Sequence, residues 1–229
     1  MTNPEPQIAN PTVSTPSVSS TPVSRPATKP PLREALVQAT LELVEEVGPA
    51  AVSVREVARR AGVSSGAPFR HFPDKYALMA AVAEEGVKRL NEVTEAAIGD
   101  LAERDPLEAF RLAGIAYVRF AVAHPAHFRV ICVPEYAAYS QTLRDGLRKG
   151  RDQLKALIVA AQKRGAIIQG DPESIMLAAN AIIYGAARMF VDGQMQAEGI
   201  GTDLAEETAS TLTDLLGRGI VDPAHSAQG

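Results

Sequence analysis

Residues 53–76, SVREVARRAGVSSGAPFRHFPDKY, carry the pattern that decides the fold of this chain. Ser53 is followed three residues later by Glu56, and this spacing predicts a capping box at the start of a short helix. Apolar residues then recur at helical spacing up to Gly62, which stands where the backbone must take a positive φ to end the helix. The stretch therefore begins with one amphipathic helix of two turns and a glycine turn.

A second helix is predicted directly after this turn. Ser64 is placed to cap it, and it should run to about Phe72. Pro68 removes one backbone donor inside this segment, but a proline close to a helix start costs less than one in the middle. We therefore expect a slightly loosened second helix and, with the first, a helix-turn-helix.

The second helix of such a unit presents its N-terminal residues to base edges in the DNA major groove. Here that end carries small residues and lacks Arg, Gln or Asn for bidentate base contacts, so DNA shape should contribute to readout. Five Lys or Arg oppose two Asp or Glu over residues 53–75, and screening makes this local charge matter more than the chain's net charge of −4. The residues expected to contact DNA are Ser53, Ser64, Ser65, Ala67, Pro68, Phe69, His71 and Lys75.

The order of these residues resembles the TetR/AcrR family of bacterial transcriptional regulators over residues 32–90. The family pattern is T/S-x-x-x-[IV]-A-x-x-A-G-V-S-x-G-x-x-Y-x-H-F-x-x-K. This chain departs from the family in two places, with Phe69 at the tyrosine position and Pro68 inside the second helix. The resemblance implies a homodimeric, DNA-binding regulator. In this family such a protein is most often a repressor that a small effector releases from an inverted-repeat operator.

Helices should flank this unit on both sides. A helical pattern starts at Leu32 and ends at Gly48, and its outer face is acidic, so that face should point away from phosphates. Another helix should begin after the cap Asp74 and run to about Leu101. It would be long enough to link the DNA-binding unit of residues 32–76, which we call the reader, to the rest of the chain. Residues 30–90 are therefore predicted to form the DNA-binding domain.

The remaining residues, 91–220, are predicted to form a ligand-sensing and dimerisation domain. Prolines and glycines divide them into helices, with no sustained β pattern, so the fold class is all-α. The predicted helices cover residues 106–123, 125–132, 135–164, 172–197 and 203–219. This half resembles the C-terminal domain type of the same family that is named after a Trp-His-Gly signature. Asn180, Tyr184 and Gly185 stand at the corresponding positions, and the chain has no tryptophan.

The two ends of the chain are predicted to be disordered tails, residues 1–29 and 221–229. Residues 1–31 hold eight of the sixteen prolines and ten Ser or Thr, so they cannot bury enough apolar surface to offset their chain entropy. A linker or solubilising tail is the simplest interpretation. The alternative is an arm in which Arg25 and Lys29 follow the DNA backbone.

The last two helices are predicted to form a homodimer interface. Residues 173–191 are apolar nearly all the way round, so this helix should be covered on two sides, and its small residues suit close helix packing. The following helix offers a second apolar stripe, and four helices from two copies would meet. The alternative is a monomer in which residues 173–191 are an ordinary core helix.

A small-molecule pocket is expected beside the linking helix. Nine residues combine apolar surface with a few polar groups, as effector sites do, although each alone is more simply explained by core packing. They are Tyr117, Phe120, Phe128, Tyr136, Tyr139, Met176, Asn180, Tyr184 and Met189. His124, His127 and Cys132 supply too few donors for a metal site, and no metal or other cofactor is expected.

Composition narrows the class of protein further. A single cysteine allows no intramolecular disulfide, and the N-terminus lacks the pattern of a signal peptide, so a cytoplasmic location is expected. The most apolar stretch, residues 175–191, contains Asn180 and Arg188 and is built on alanine, so no membrane partner is expected. Motifs for common enzyme classes are absent from the sequence, so no catalytic residues are expected. The alternative function is a helical dimerisation or ligand-binding protein with a weakened DNA reader.

Overall fold

The computed structural model describes residues 1–2 and 30–220, and the described residues from Pro31 onward form one compact unit. The predicted tails and the arm residues Arg25 and Lys29 lie outside the described residues, apart from Met1 and Thr2. Within that part the fold is all-α. The helices are α1 Leu32–Ala51, α2 Val54–Arg60, α3 Lys75–Ile98, α4 Leu101–Arg104, α5 Pro106–Ala123, α6 Pro125–Ile131, α7 Gln141–Lys163, α8 Pro172–Val191, α9 Gln194–Ala197 and α10 Ala205–Ile220. Short 3₁₀ turns cover Pro68–Arg70, Pro134–Tyr139 and Thr202–Leu204.

Side-chain caps fix the starts of four long helices, α3, α5, α7 and α8. The Asp74 carboxylate accepts a hydrogen bond from the Ala77 amide at 2.8 Å, which confirms the predicted cap of α3. Asp105, Ser140 and Asp171 accept equivalent bonds at the starts of α5, α7 and α8. Each acceptor satisfies amides that have no partner within the helix, so these starts are set by single residues.

Some predicted helix limits are wrong. The helix expected over 135–164 is split, because Ser140 adopts extended backbone and caps α7, leaving a 3₁₀ turn before it. The helix expected over 172–197 is split at Gly193, whose φ of 79° belongs to the left-handed region. α3 stops at Ile98 instead of Leu101, because Gly99 takes a φ of 50°. α1 is interrupted at Gly48 as expected, but a last turn follows it because Pro49 suits a helical first turn.

One hydrophobic core joins the N-terminal helices to the second half of the chain. Leu36 and Val44 of α1 and Leu78 of α3 are fully buried, and Ala126 and Val130 of α6 lie in the same cluster. The boundary expected between residues 90 and 91 falls inside α3, which continues without a break. α6 therefore packs against the helices of the reader itself.

A second core lies among α5, α6, α8 and α10, with Phe128 and Ala187 fully buried in it. α8 turns one side to this core and leaves Leu177 70% exposed on the other. By length and composition alone α8 could cross a membrane, with a mean hydropathy of 1.5, a test that core helices of soluble proteins also pass. The same outer side also exposes Ile182, Tyr184 and Met189.

Candidate functional site

The predicted glycine turn is present between α2 and the segment after it. Val57 and Ala58 form the buried side of α2, and Gly62, after the end of this helix, has a φ of 70°. The amide of Gly62 donates to the Arg59 carbonyl at 3.1 Å, and that of Val63 to the Ala58 carbonyl at 3.0 Å. These bonds satisfy the carbonyls at the end of α2, which confirms the role assigned to the glycine.

The predicted capping box is wrong. Ser53 stands at the N-cap of α2 but its side chain makes no capping hydrogen bond, and Glu56 turns instead to Arg59. The Glu56 carboxylate accepts two hydrogen bonds from that guanidinium, at 2.9 and 2.6 Å. A bidentate, charge-assisted pair is stronger than one bond to a backbone amide, so Glu56 does not reach back. The Ser53 hydroxyl is left exposed.

The expected second helix is also wrong, because it is reduced to a turn. The Ala67 amide donates to the Ser64 carbonyl at 2.9 Å, and a single 3₁₀ turn follows over Pro68–Arg70. A regular helix would need an amide at position 68 to bond to Ser64, and proline has none. The recognition element is therefore a tight turn, shorter than the helix that the spacing predicts.

The residues proposed for DNA contact divide into exposed and buried groups. Ala67 is only 7% exposed and Pro68 is buried, so their assignment to base contacts is corrected: both pack inward. Lys75 is half-buried, and its ammonium donates to the Ala50 carbonyl at 2.8 Å. Burial lowers the pKa of Lys75. The exposed residues are Ser53, Ser64, Ser65, Phe69 and His71.

Two arginines of the reader were missed from the sequence. Arg55 of α2 and Arg70 of the 3₁₀ turn are exposed, and neither has a carboxylate partner within the described residues. Arg60, by contrast, makes two hydrogen bonds to Glu46 of α1, at 2.7 and 2.6 Å. The excess of positive charge over residues 53–75 indicated cations in this region. Which arginines are free and which are paired with a carboxylate depends on the fold and could not be predicted.

A cavity of about 1460 Å³ lies among α3, α5, α7, α8 and α10. Tyr117, Met176, Asn180 and Tyr184 are the predicted pocket residues that line it. α3 supplies residues that sequence reasoning missed, among them Leu90 and Asn91, since their role depends on helix packing. α3 therefore has its first turn in the reader and its middle at the cavity.

The other five predicted pocket residues are not among those lining the cavity, and their assignment is corrected. Phe120 and Phe128 are fully buried core side chains. Tyr136 is buried in the core shared with the reader, and Tyr139 stacks on Tyr76 at 5.0 Å between ring centroids. Met189 lies on the exposed side of α8. The aromatic or apolar character of a residue did not reveal whether it packs in the core or lines the cavity.

Two phenols and a thiol meet at one end of the cavity. The Tyr117 ring packs edge-on against Phe128 at 5.9 Å, and Tyr184 lies 6.1 Å from the same ring. Cys132 lies beside both tyrosines. Burial raises the pKa of the Cys132 thiol to about 11, with Arg188 and a hydrogen bond with Tyr184 acting in the opposite direction. Burial also raises the pKa of Tyr117 and of Tyr184.

α6 touches α3 through His127. Its ring is buried, and its Nε2 lies 3.8 Å from a carboxylate oxygen of Glu85 without a hydrogen-bond partner in the described structure. His124 packs edge-on against it at 5.9 Å. Desolvation lowers the pKa of His127. The charges of Arg89 and His124 lower this pKa further, and the charge of Glu85 raises it. A neutral imidazole therefore fits this contact.

Known proteins with the same pattern were found by sequence and by structure. The family model for bacterial regulatory proteins of the tetR family matches residues 36–82, and the model for a tetracyclin repressor-like C-terminal domain matches residues 110–216. The HTH-type transcriptional regulator BetI of Yersinia pestis (strain Pestoides F) is 34% identical over 83 residues, which cover 36% of this chain and 42% of that protein. The match thus spans less than half the length of this curated relative.

Solved structures match over more of the chain. A protein of unknown function from Rhodococcus sp. RHA1 is 30% identical, with a TM-score of 0.71 over 87% of this chain and 100% of that one. The TetR family regulator PfmR from Thermus thermophilus is 23% identical, with a TM-score of 0.63 over 81% and 95%, and shares the fold. Two family models in order and a shared fold lead to one conclusion: the chain belongs to the TetR family of bacterial regulatory proteins.

Proposed function

We propose that this protein is a DNA-binding transcriptional regulator, a repressor that a small apolar effector releases from an inverted-repeat operator. One observation carries the proposal: α3 is a single helix whose first residue, Lys75, lies in the reader and whose middle, at Leu90 and Asn91, lines the cavity. A ligand that moves this helix moves the reader with it. Membership of a family of bacterial regulatory proteins and the similarity to BetI, a transcriptional regulator, support the same role.

DNA contacts are proposed for the exposed polar and cationic residues of the reader. Hydroxyl groups and the imidazole can bond to phosphate oxygens or base edges, and the free guanidiniums add charge. Lys75 can reach phosphate by leaving the Ala50 carbonyl. The set is Ser53, Arg55, Ser64, Ser65, Phe69, Arg70, His71 and Lys75.

We propose that α8 and α10 pair with the same helices of a second copy. Leu177 and Ile182 of α8 and Leu215 of α10 are exposed apolar side chains on these neighbouring helices. A two-fold axis would place the two readers on successive major grooves, about 34 Å apart, which requires an inverted repeat. Residues 30–90 would read DNA and residues 91–220 would sense the effector and dimerise.

Release follows from the geometry of such a pair. An effector that binds better to a dimer whose readers no longer match both half-sites lowers operator occupancy. Reversal of a 99:1 population needs a preference of about 5.5 kcal/mol. These roles need neither catalysis nor a membrane, so we infer a cytoplasmic regulator that is not an enzyme.

The test is selection of DNA from a random pool, followed by titration of the selected sequence with variants. Arg70→Ala and His71→Ala should weaken binding roughly tenfold each and lower its dependence on salt. Lys163→Ala, at the far end of α7, removes an exposed cation outside the reader and should leave binding unchanged. If no inverted repeat is enriched, or all three variants bind alike, the proposal is overturned.

A second candidate is a dimeric ligand-binding protein with a weakened reader. The reduction of the recognition element to one turn and the inward packing of Ala67 and Pro68 favour it. In that case the purified protein would form dimers and bind ligands, while DNA binding would show no sequence preference over genomic competitor.

A further inference from the structure

The end of the cavity formed by Tyr117, Cys132 and Tyr184 is built from fixed but uncharged polar groups. Phe128, fully buried, contacts both phenol rings and holds them in place. The raised pKa values of all three groups keep them protonated near neutral pH. This end can therefore donate and accept hydrogen bonds but offers no formal charge to a ligand.

Tyr117 is the phenol of this group with an unused hydrogen bond. It lines the cavity, and its hydroxyl has no hydrogen-bond partner among the described residues but is open to solvent through the cavity. A ligand that fills the cavity displaces water from this hydroxyl, and a ligand without a hydrogen-bonding atom there would leave the hydroxyl buried and unpaired. The Tyr117 hydroxyl is thus placed to select a ligand that carries a carbonyl or hydroxyl oxygen.

Most charged residues that line the cavity are paired with one another, whereas the exposed Arg218 of α10 has no carboxylate partner among the described residues. The Arg111 guanidinium bonds to Glu108 at 2.7 Å, and Arg151 is paired with Glu173. Asp171 is occupied by the amides at the start of α8. Arg111 and Glu173 lie about two and about three helical turns before Tyr117 and Tyr184, so these charges belong to the other end of the cavity. A charged ligand group beside Tyr117 would have no opposite charge next to it, which is costly once the ligand excludes water.

Resting on the proposed regulatory function, we propose that the effector is an uncharged, mainly apolar molecule whose carbonyl or hydroxyl oxygen hydrogen-bonds to Tyr117. Esters, ketones, lactones and alcohols with a hydrocarbon body belong to this class. The body lies along the apolar walls that α5, α7 and α8 supply, and the oxygen faces Tyr117. Tyr117 is then a specificity-determining residue that touches the ligand.

Four probes with the same hydrocarbon chain test the proposal on the full-length protein without DNA. They are methyl decanoate, decane, decanoate and decyltrimethylammonium, with binding measured by calorimetry. Methyl decanoate should bind at least roughly tenfold more tightly than either ion, since an unpaired buried charge costs several kcal/mol. Tighter binding of decanoate or of the ammonium ion, or no binding of any probe, overturns the proposal.

Tyr117→Phe isolates the hydrogen bond. It should weaken methyl decanoate binding about 3- to 10-fold, leave decane binding unchanged and leave the melting temperature nearly unchanged. Tyr139→Phe, which removes a phenol outside the cavity lining, is the matched control and should bind all probes as the wild type does. Equal affinity of Tyr117→Phe and wild type for the ester contradicts the assigned role. Ester binding without release of operator DNA would overturn the regulatory function and leave the ligand class standing.

Discussion

A Cβ atom placed on Gly86 would lie 2.9 Å from Cγ2 of Ile131 and 3.3 Å from Cβ of His127. This is where α6 crosses α3, so the absence of a side chain at position 86 sets how closely the two helices approach. α6 in turn packs on the core of the reader. The contact is therefore a close link between the sensing half and the helix that leads to the DNA-binding residues.

Gly86→Ala should separate α6 from α3. Overpacking costs about 1–3 kcal/mol, because the branched Ile131 side chain has few rotamers with which to withdraw, and better helix propensity offsets about 1 kcal/mol of that. We expect a net loss of about 1 kcal/mol in the free energy of unfolding, measured by urea denaturation. Gly217→Ala in α10, where a Cβ meets no atom within 4 Å, is the control and should not destabilise. Equal stability of the two variants would refute the tight contact.

Pro68→Ala should lengthen the recognition element. The new amide can donate to the Ser64 carbonyl, which would extend the 3₁₀ turn into a helix that starts near residue 65. NMR chemical shifts of residues 64–70 would report the change, and Pro73→Ala, just before the cap of α3, is the control. Unchanged shifts in Pro68→Ala would mean that packing rather than the missing donor holds the turn.

Ile182→Glu and Leu215→Glu should each convert the proposed dimer to monomer. Leu215 is 56% exposed on α10, and a carboxylate buried there without a partner would weaken association roughly a hundredfold or more. Analytical ultracentrifugation gives the mass in solution. Ile168→Glu places the same charge on an exposed apolar residue outside α8 and α10 and should leave the mass unchanged. Dimers that survive both changes place the interface elsewhere.

His127 should make the fold sensitive to acid. Burial lowers its pKa in the folded state below the ordinary value of 6.5, so below that pH the unfolded chain binds more protons. Stability is therefore retained above pH 6.5 and lost as the pH falls towards the folded-state pKa. The melting temperature of His127→Phe should decline less between about pH 7 and about pH 5 than that of the wild type.

His71→Gln removes an exposed histidine from the reader and is the control for this acid response. It should keep the wild-type decline in melting temperature. An identical decline in His127→Phe would assign the acid response to other groups.

The sequence predicted the elements whose cause is local. Asp74 caps α3 and Gly62 ends α2, because each acts on backbone groups within a few residues. Prediction failed where two local partners competed, as with Glu56, which bonds to Arg59 rather than to the Ser53 amide. Prediction also failed where residues that line the cavity had to be distinguished from residues that pack in the core. Tyr117 and Phe128 are both aromatic residues on apolar helices, and only the packing of those helices decides which of the two lines the cavity.

Leu177, Asn180 and Tyr184 line the cavity and are at the same time exposed on the outer side of α8. Their spacing places them on one stripe of the helix, so the entrance to the cavity runs along the surface that α8 offers to a second molecule. A molecule that docks on that stripe also covers the entrance to the cavity. Self-association through α8 and the entry of small molecules are therefore coupled, because both use the same face of the helix.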